Sequence, residues 1–213
     1  MARLSPGPRV GGWHLALCAA LAAERLAELG RSRGRGREWP AAAPRTYPVM
    51  VALHVGLFTW PLARRWHRPA PAPAAQAAAV ATLLAATGLR TWAIHSLGGQ
   101  WNVEARVPPR LDPVRHGPYR FVRHPNYVAV ALEMAALPAA CGAYREAAAL
   151  SLANAAVLWP RIRGEEGLLL AQPAYREAFA GVPRFLPRWR RRGSALASGA
   201  GPRGPGSGQG EVS

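Results

Sequence analysis

The chain has 213 residues, half of them hydrophobic, and its 27 basic residues, all arginine, exceed its 11 acidic ones to give a net charge of +16. This length fits one domain. Two cysteines and the lack of Cys/His ligand spacing exclude a disulfide framework and predict no metal site. The charge alone would allow a nucleic-acid-binding protein, but the arginines flank apolar segments, which a membrane topology explains, so we expect no nucleic-acid partner.

Five apolar segments predict an all-α fold, an integral membrane helical bundle of about five transmembrane segments. Several are shorter than the roughly 20 residues that cross the hydrocarbon core, so we expect tilt or local thinning of the bilayer. The alternative is a soluble all-helical protein, although these segments lack the polar stripe of a soluble amphipathic helix. The segments are residues 10–29, 47–62, 74–97, 127–141 and 147–159, with Gly142 at the last turn.

The arginines indicate an orientation for such a bundle. If all five segments cross, one side carries the 31–45 loop, the 98–126 segment and everything after residue 160, with nineteen arginines, and the other side carries six. Basic residues concentrate in cytoplasmic loops of membrane proteins. The arginine-rich side is therefore predicted to face the cytoplasm.

The chain divides into three regions by composition. Residues 1–96 hold three of the apolar segments and are predicted to form N-terminal transmembrane helices. Arg3 and Arg9 precede the first segment as in a signal peptide, but no small-residue cleavage site follows, so we expect a retained first helix. Residues 97–193 combine polar motifs with an apolar hairpin. Residues 194–213 contain almost nothing to bury and are predicted to be a disordered tail.

The sequence G-P-Y-R-F-V-R-H-P-N-Y occupies residues 117–127. Its Gly-Pro-Tyr start reads as a turn. Pro125 favours an extended His124 and can then begin the fourth helix. His124 and Arg123 would thus lie at a helix start, where backbone N–H groups suit an anionic or hydrogen-bonding ligand. The alternative is an ordinary helix start with interfacial Arg and Tyr anchors.

A second polar cluster, R-I-R-G-E-E, follows the fifth apolar segment at residues 161–166. Arg161 and Glu165 are four residues apart and can pair on a helix. A carboxylate here could bind the hydroxyls or ammonium of a cofactor, whereas the alternative is a solvated charged face.

Other ionisable residues lie inside apolar segments. Glu133 is a functional candidate for that reason, with pairing to Arg90 or a neutral carboxyl as the alternatives. His14, His54 and His95 show no ligand spacing and are interpreted as ordinary buried or interfacial histidines.

In combination, these features resemble the isoprenylcysteine carboxyl methyltransferase family of integral membrane enzymes. The resemblance covers roughly residues 97–189, including Tyr175 and P-R-F-L-P-R-W near the end. The stretches L-G-G-Q-W-N and T-Y-P-V-M-V-A-L-H look like the bacterial branch found beside type III polyketide synthases. Residues 97–193 would then be the methyltransferase region, in a bacterial inner membrane with its cofactor pocket on the cytoplasmic side.

This resemblance implies S-adenosylmethionine as cofactor and membrane lipids as surroundings, and it assigns roles to the polar residues. Arg123 and Arg161 would lie nearer the acceptor, and His124 or a glutamate could act as general base. Two departures stand out: Gly164 before the acids, and Gln172–Pro173 beyond them. The implied catalytic residues are His124, Arg123 and Arg161, and the implied cofactor-binding residues are Tyr119, His124, Pro125, Tyr127, Glu165 and Glu166.

The acceptor stays open at this stage. The bacterial-type resemblance implies a lipophilic small molecule, an alkylpyrone or alkylresorcinol hydroxyl, with a prenylcysteine carboxylate as the second possibility. A third hypothesis is a non-catalytic membrane protein that keeps the scaffold. The sequence indicates no oligomeric state.

Overall fold

A computed structural model describes residues 12–64 and 71–187, and this part of the chain is helical with no strand. The prediction of an all-α fold is confirmed for these residues. The predicted tail at 194–213 and the first two residues of the first predicted segment lie outside them. The helices are α1 (Gly12–Ser32), α2 (Thr46–Arg64), α3 (Pro73–Leu97), α4 (Pro125–Ala140), α5 (Tyr144–Leu170) and α6 (Pro173–Ala178).

Proline begins three of these helices. Pro73, Pro125 and Pro173 open α3, α4 and α6, because a proline in the first turn loses no intrahelical hydrogen bond and its fixed φ suits the helix. Gly142 adopts a φ of +72° in the turn between α4 and α5, a conformation that glycine takes without a Cβ penalty. The apolar hairpin expected from the sequence is therefore formed by α4 and α5.

The core lies where α4 packs between α3 and α5, with α2 against α5. One cluster of buried apolar side chains joins four helices through Leu21, Leu57, Leu83, Met134 and Leu137. A second cluster lies at the other end of the fold, where Tyr119, Leu169, Tyr175 and Phe179 meet. The helices that carry the two polar motifs are thus held together by apolar contacts.

The segment between α3 and α4 is the longest non-helical part of the described chain. It contains two short 3₁₀ turns, Gly98–Gln100 and Gly117–Arg120. It also pairs with the α1–α2 connection: the Ala42 amide donates to the Ala105 carbonyl at 3.0 Å, and the Val107 amide donates to the Pro40 carbonyl at 3.1 Å. These bonds fix the segment over one end of the bundle.

Within the described residues, one helical stretch, Pro73–Gln100, is long and apolar enough to cross a membrane by length and composition. Two of the other helices, α4 and α1, fall short for visible reasons. The α4 helix has 16 residues, which span about 24 Å against a hydrocarbon core of about 30 Å, and α1 contains Glu24, Arg25 and Glu28. The five-span bundle therefore remains a prediction.

The α5 helix is longer than its apolar segment. It runs for 27 residues to Leu170, so the R-I-R-G-E-E cluster continues the helix instead of following it. Gly164 has a packing reason: a Cβ built there would lie 2.2 Å from the Ala42 carbonyl oxygen. The glycine lets α5 approach the α1–α2 connection closely. Glu165 and Glu166 follow it on the same helix.

Candidate active site

A cavity of about 430 Å³ lies between the six helices and the segment before α4. This volume is within the usual range for a small-molecule site. Of the eight residues that the sequence proposed for a site, six line it. They are Tyr119, Arg123, His124, Tyr127, Arg161 and Glu165.

The backbone at Arg123 and His124 is held by the C-terminal end of the described chain. The Arg123 amide donates to the Pro183 carbonyl at 2.9 Å, and the His124 amide donates to the Arg184 carbonyl at 3.0 Å. Pro125 then begins α4 and does not itself line the cavity. These bonds fix the direction in which both side chains leave the backbone.

Glu166 is buried and accepts contacts from three cationic or imidazole side chains. Its Oε1 lies 3.1 Å from His124 Nε2 and 3.3 Å from Arg123, while Arg184 Nε donates to Oε1 at 3.0 Å and Arg184 Nη2 to Oε2 at 2.5 Å. Burial raises the pKa of Glu166, but the hydrogen bonds from His124 and Arg184 and the nearby charge of Arg123 outweigh it and lower the pKa to about 2. Glu166 is therefore a carboxylate that orients His124 from outside the cavity wall.

Glu165, the neighbouring residue, faces the cavity instead. It accepts a hydrogen bond from the Tyr127 hydroxyl, which in turn accepts one from Arg161 Nε at 3.2 Å. Arg161 also donates to the Val103 carbonyl at 2.5 Å and to the Thr46 hydroxyl at 3.3 Å. The direct Arg161–Glu165 pair that helical spacing allowed is thus replaced by a contact through Tyr127.

An aromatic wall faces these polar groups. Tyr175 and Phe179 stack with their ring centroids 4.5 Å apart, and Tyr119 belongs to the same buried cluster. Burial, together with the charge of Glu165, raises the pKa of the Tyr119 and Tyr175 hydroxyls, which keeps both phenols neutral. Such faces suit a planar ring or a cation.

The break after α5 also shapes the cavity. The Leu111 amide donates to Gln172 Oε1 at 3.0 Å, and Gln172 Nε2 donates to the Pro108 carbonyl at 3.0 Å. Pro108 and Leu111 are wall residues. The helix break at Gln172–Pro173 therefore has a structural function, because the side-chain amide of Gln172 fixes the cavity wall at Pro108 and Leu111.

Sequence reasoning missed a second polar group at the cavity. Arg90 donates to both oxygens of Glu28, at 2.7 to 3.1 Å, and to Asn126 Oδ1 at 3.1 Å. All three line the cavity. A charged residue inside an apolar helix was the available signal for Arg90, and Asn126 lies inside the R-H-P-N-Y motif.

Glu133 has a different partner from the one considered. Its Oε1 lies 2.5 Å from Arg25 Nη2, while Arg90 is occupied by Glu28. Arg25 also contacts Glu28 at 3.0 Å. Glu133 thus belongs to a buried ion cluster that joins α1, α3 and α4.

Among the residues that the structure describes, no group of three or more His, Cys, Asp or Glu side chains could hold a metal ion. The donors around the cavity are instead arginine, imidazole, carboxylate and phenol groups. This set suits an organic ligand that carries both positive and negative charge.

Comparison with known proteins identifies a family and a relative. The model of the isoprenylcysteine carboxyl methyltransferase (ICMT) family matches residues 79–171, from α3 to the end of α5. The uncharacterized protein YpbQ of Bacillus subtilis (strain 168) is 32% identical over 123 residues, which are 58% of this chain and 73% of that protein. The family match includes both the R-H-P-N-Y motif and the paired glutamates.

Proposed function

Because the chain belongs to the isoprenylcysteine carboxyl methyltransferase family, we propose that it is a membrane-embedded, S-adenosylmethionine-dependent O-methyltransferase with a lipophilic acceptor. Family membership implies a methyltransferase that is associated with a membrane. The acceptor in this proposal is a hydroxyl of an alkylpyrone or alkylresorcinol. A prenylcysteine carboxylate, which the family's name favours, is the second candidate.

One observation carries the proposal: the cavity brings an oriented imidazole, a carboxylate and a guanidinium against an aromatic wall. His124 and Glu165 are 41 positions apart in sequence and line the same space. The hydrogen bonds at Glu166 and Tyr127 link the fourth and fifth helices around it. The arrangement suits a reaction in which two bound molecules must be aligned.

The chemistry of the donors fits S-adenosylmethionine. Arg123 lines the cavity, and its guanidinium can take the cofactor's carboxylate. Glu165 can take its ammonium or ribose hydroxyls, and the faces of Tyr119 and Tyr175 suit its adenine ring or sulfonium. When bound, this cofactor supplies an electrophilic methyl group.

The chain's own residues would align the acceptor and remove its proton. Glu166 is a carboxylate and only accepts hydrogen bonds, so His124 Nε2 carries the proton in their contact. In the neutral ring, Nδ1 is then the basic nitrogen and can take a proton from an enol or phenol. A carboxylate acceptor would need no base, so dependence on His124 distinguishes the two acceptor classes.

The membrane part of the proposal is supported by the outer surface of the helices. Large apolar side chains outside the cavity are exposed on four of them: Trp13 is 46% exposed, Val49 46%, Leu84 60% and Leu152 73%. Exposed apolar surface of this kind is typical of membrane contact. The arginine distribution supports a site on the cytoplasmic side of a bacterial inner membrane.

The test is to incubate membranes that contain the protein with labelled S-adenosylmethionine and either an alkylresorcinol, an alkylpyrone or N-acetyl-S-farnesylcysteine. We expect label in the hydroxyl compounds, and loss of that product in His124→Ala. His95→Ala is the matched control, because His95 is exposed and lies outside the cavity. No methylated product, together with no binding of S-adenosylhomocysteine to the purified protein, would favour a non-catalytic scaffold.

A further inference from the structure

The α1–α3 side of the cavity contains two polar side chains whose hydrogen-bonding direction is fixed by a neighbour. They are Asn126, at the start of α4, and His54, in the middle of α2, and both line the cavity. Around them the cavity is lined by the ion cluster of Arg25, Glu28 and Arg90 and by apolar side chains. The apolar side chains include Leu26, Leu29, Met50, Val51, Val55 and Phe58.

Asn126 presents a donor. Its Oδ1 accepts a hydrogen bond from Arg90 at 3.1 Å, and a guanidinium can only donate, so the oxygen must face Arg90 and the amide nitrogen must point away. Arg90 cannot turn aside, because Glu28 holds it through Nε and Nη2. Within the described residues, no acceptor takes a hydrogen bond from the Asn126 amide nitrogen.

His54 presents an acceptor. Its Nδ1 lies 2.8 Å from the Met50 carbonyl oxygen, and a carbonyl can only accept, so Nδ1 carries the hydrogen. The neutral ring then has its lone pair on Nε2. No described residue donates to this nitrogen.

One donor and one acceptor match a hydroxyl group, which accepts from one partner and donates to the other. A carboxylate would leave the His54 lone pair without a hydrogen, and a buried polar group without its partner is costly. An ether oxygen would fail in the same way.

This pair is separate from His124. The His124 side chain contacts Glu166 on α5, whereas Asn126 contacts Arg90 on α3, so the two residues use opposite sides of the start of α4. The hydroxyl held by Asn126 and His54 is therefore not the oxygen next to the imidazole of His124.

We propose that His54 and Asn126 bind a second hydroxyl group of the acceptor, one that is not methylated. The acceptor class is then an alkylated ring with two hydroxyl groups, such as an alkylresorcinol, in preference to an alkylpyrone or a prenylcysteine. Methylation stops after one transfer, because a methoxy group cannot donate to His54. This inference rests on the proposed function for the identity of the reacting oxygen.

The test measures binding of three probes to the purified protein by calorimetry: 5-pentylresorcinol, its monomethyl ether and its dimethyl ether. The monomethyl ether keeps one hydroxyl for the pair and should bind nearly as well as the diol. The dimethyl ether should bind about tenfold more weakly, the usual effect of one lost hydrogen bond.

Two variants remove one partner each. Asn126→Asp keeps the oxygen that Arg90 contacts but loses the donor, and His54→Phe loses the acceptor. In His54→Phe we expect the monomethyl and dimethyl ethers to bind equally. Asn126→Asp should weaken the binding of both ethers, because a methoxy oxygen accepts from the Asn126 amide as a hydroxyl oxygen does. His95→Phe is the matched control, because His95 makes the same backbone contact, to Thr91 at 2.8 Å, outside the cavity, and it should keep the tenfold difference.

The inference is overturned if the wild-type protein binds the two ethers equally, if His54→Phe keeps the difference, or if Asn126→Asp binds both ethers as tightly as the wild type. It is also overturned if the variants lose affinity for S-adenosylhomocysteine instead, because the pair would then face the cofactor. Thermal unfolding identifies a misfolded variant, and His54→Gln, which retains an acceptor, then tests the same position. A wild-type protein that discriminates the ethers but binds no S-adenosylhomocysteine would refute the proposed function alone.

Discussion

Glu165 and Glu166 are adjacent in sequence and bind on different sides of α5. Glu165 faces the cavity and accepts from Tyr127, whereas Glu166 accepts from His124 and Arg184 outside the cavity wall. Successive helical residues are about 100° apart around the axis. The pair thus provides one carboxylate that faces the cavity and one that contacts the imidazole of His124.

Replacing Glu165 should weaken cofactor binding without unfolding the protein. Glu165→Gln keeps the shape but removes a charge that faces the cavity, and loss of a charged hydrogen bond lowers affinity by about tenfold to a hundredfold. Calorimetric titration with S-adenosylhomocysteine measures it. Glu104→Gln is the control, because Glu104 forms an ion pair with Arg106 and its side chain is 39% exposed. Equal affinity in wild type and Glu165→Gln would contradict the assignment.

Replacing Glu166 should change the response of stability to acid. Its pKa falls from 4.5 in the unfolded chain to about 2 in the folded protein, so its contribution is complete above pH 4.5 and is lost as the pH falls toward 2. The melting temperature of the wild type should decline more steeply over this range than that of Glu166→Gln. Thermal scans at a series of pH values measure the difference.

The control for that series is Glu177→Gln, which removes an exposed carboxylate that forms no ion pair with a described residue. Its melting curve should run parallel to that of the wild type between pH 5 and 2. Parallel behaviour of Glu166→Gln as well would show that the contacts to His124 and Arg184 do not stabilise the fold.

Two glycines of α5 should respond in opposite directions to alanine. Gly164→Ala places a Cβ 2.2 Å from the Ala42 carbonyl oxygen, so we expect a loss of about 1–3 kcal/mol in the free energy of unfolding. Gly167→Ala meets no atom within 4 Å and should gain up to about 1 kcal/mol from helix propensity. Denaturant unfolding of both variants measures the contrast, and equal effects would exclude the close approach of α5 to residue 42.

Removing the hydroxyl of Tyr127 while keeping its ring should lower the activity. Tyr127→Phe separates Arg161 from Glu165 and leaves Arg161 Nε without its 3.2 Å contact, so we expect a drop of about tenfold or more in kcat/KM. The assay is methyl transfer to an alkylresorcinol under the conditions of the wild type. Tyr144→Phe, which changes a tyrosine that is 52% exposed, should have no effect.

Local patterns were enough to predict the helices and most of the polar cluster. Apolar runs predicted five long helices. Pro125 predicted the start of α4, because the residue before a proline favours an extended conformation and proline itself is favoured at the first position of a helix. The order of motifs in the resemblance indicated that His124 and Glu166 belong to one site. These features depend on neighbours within a few residues or on a known family pattern.

Other features depended on contacts that no local pattern encodes. The fifth helix continues for eleven residues beyond its apolar segment, which ends at residue 159, because apolar contacts of Leu169 and the close approach at Gly164 stabilise the charged turns. Glu133 forms an ion pair with Arg25 instead of Arg90, because this part of α1 lies beside α4. His54 was interpreted as an ordinary histidine, since only the folded arrangement places it at the cavity with Asn126.

The two backbone bonds from Arg123 and His124 to residues 183 and 184 have a consequence for biosynthesis. The ribosome must complete almost all of the described chain before these bonds can form, so the geometry at Arg123 and His124 is completed last. We expect a nonsense codon just before Pro183 to yield a protein that lacks this backbone support and is inactive in the methyl-transfer assay.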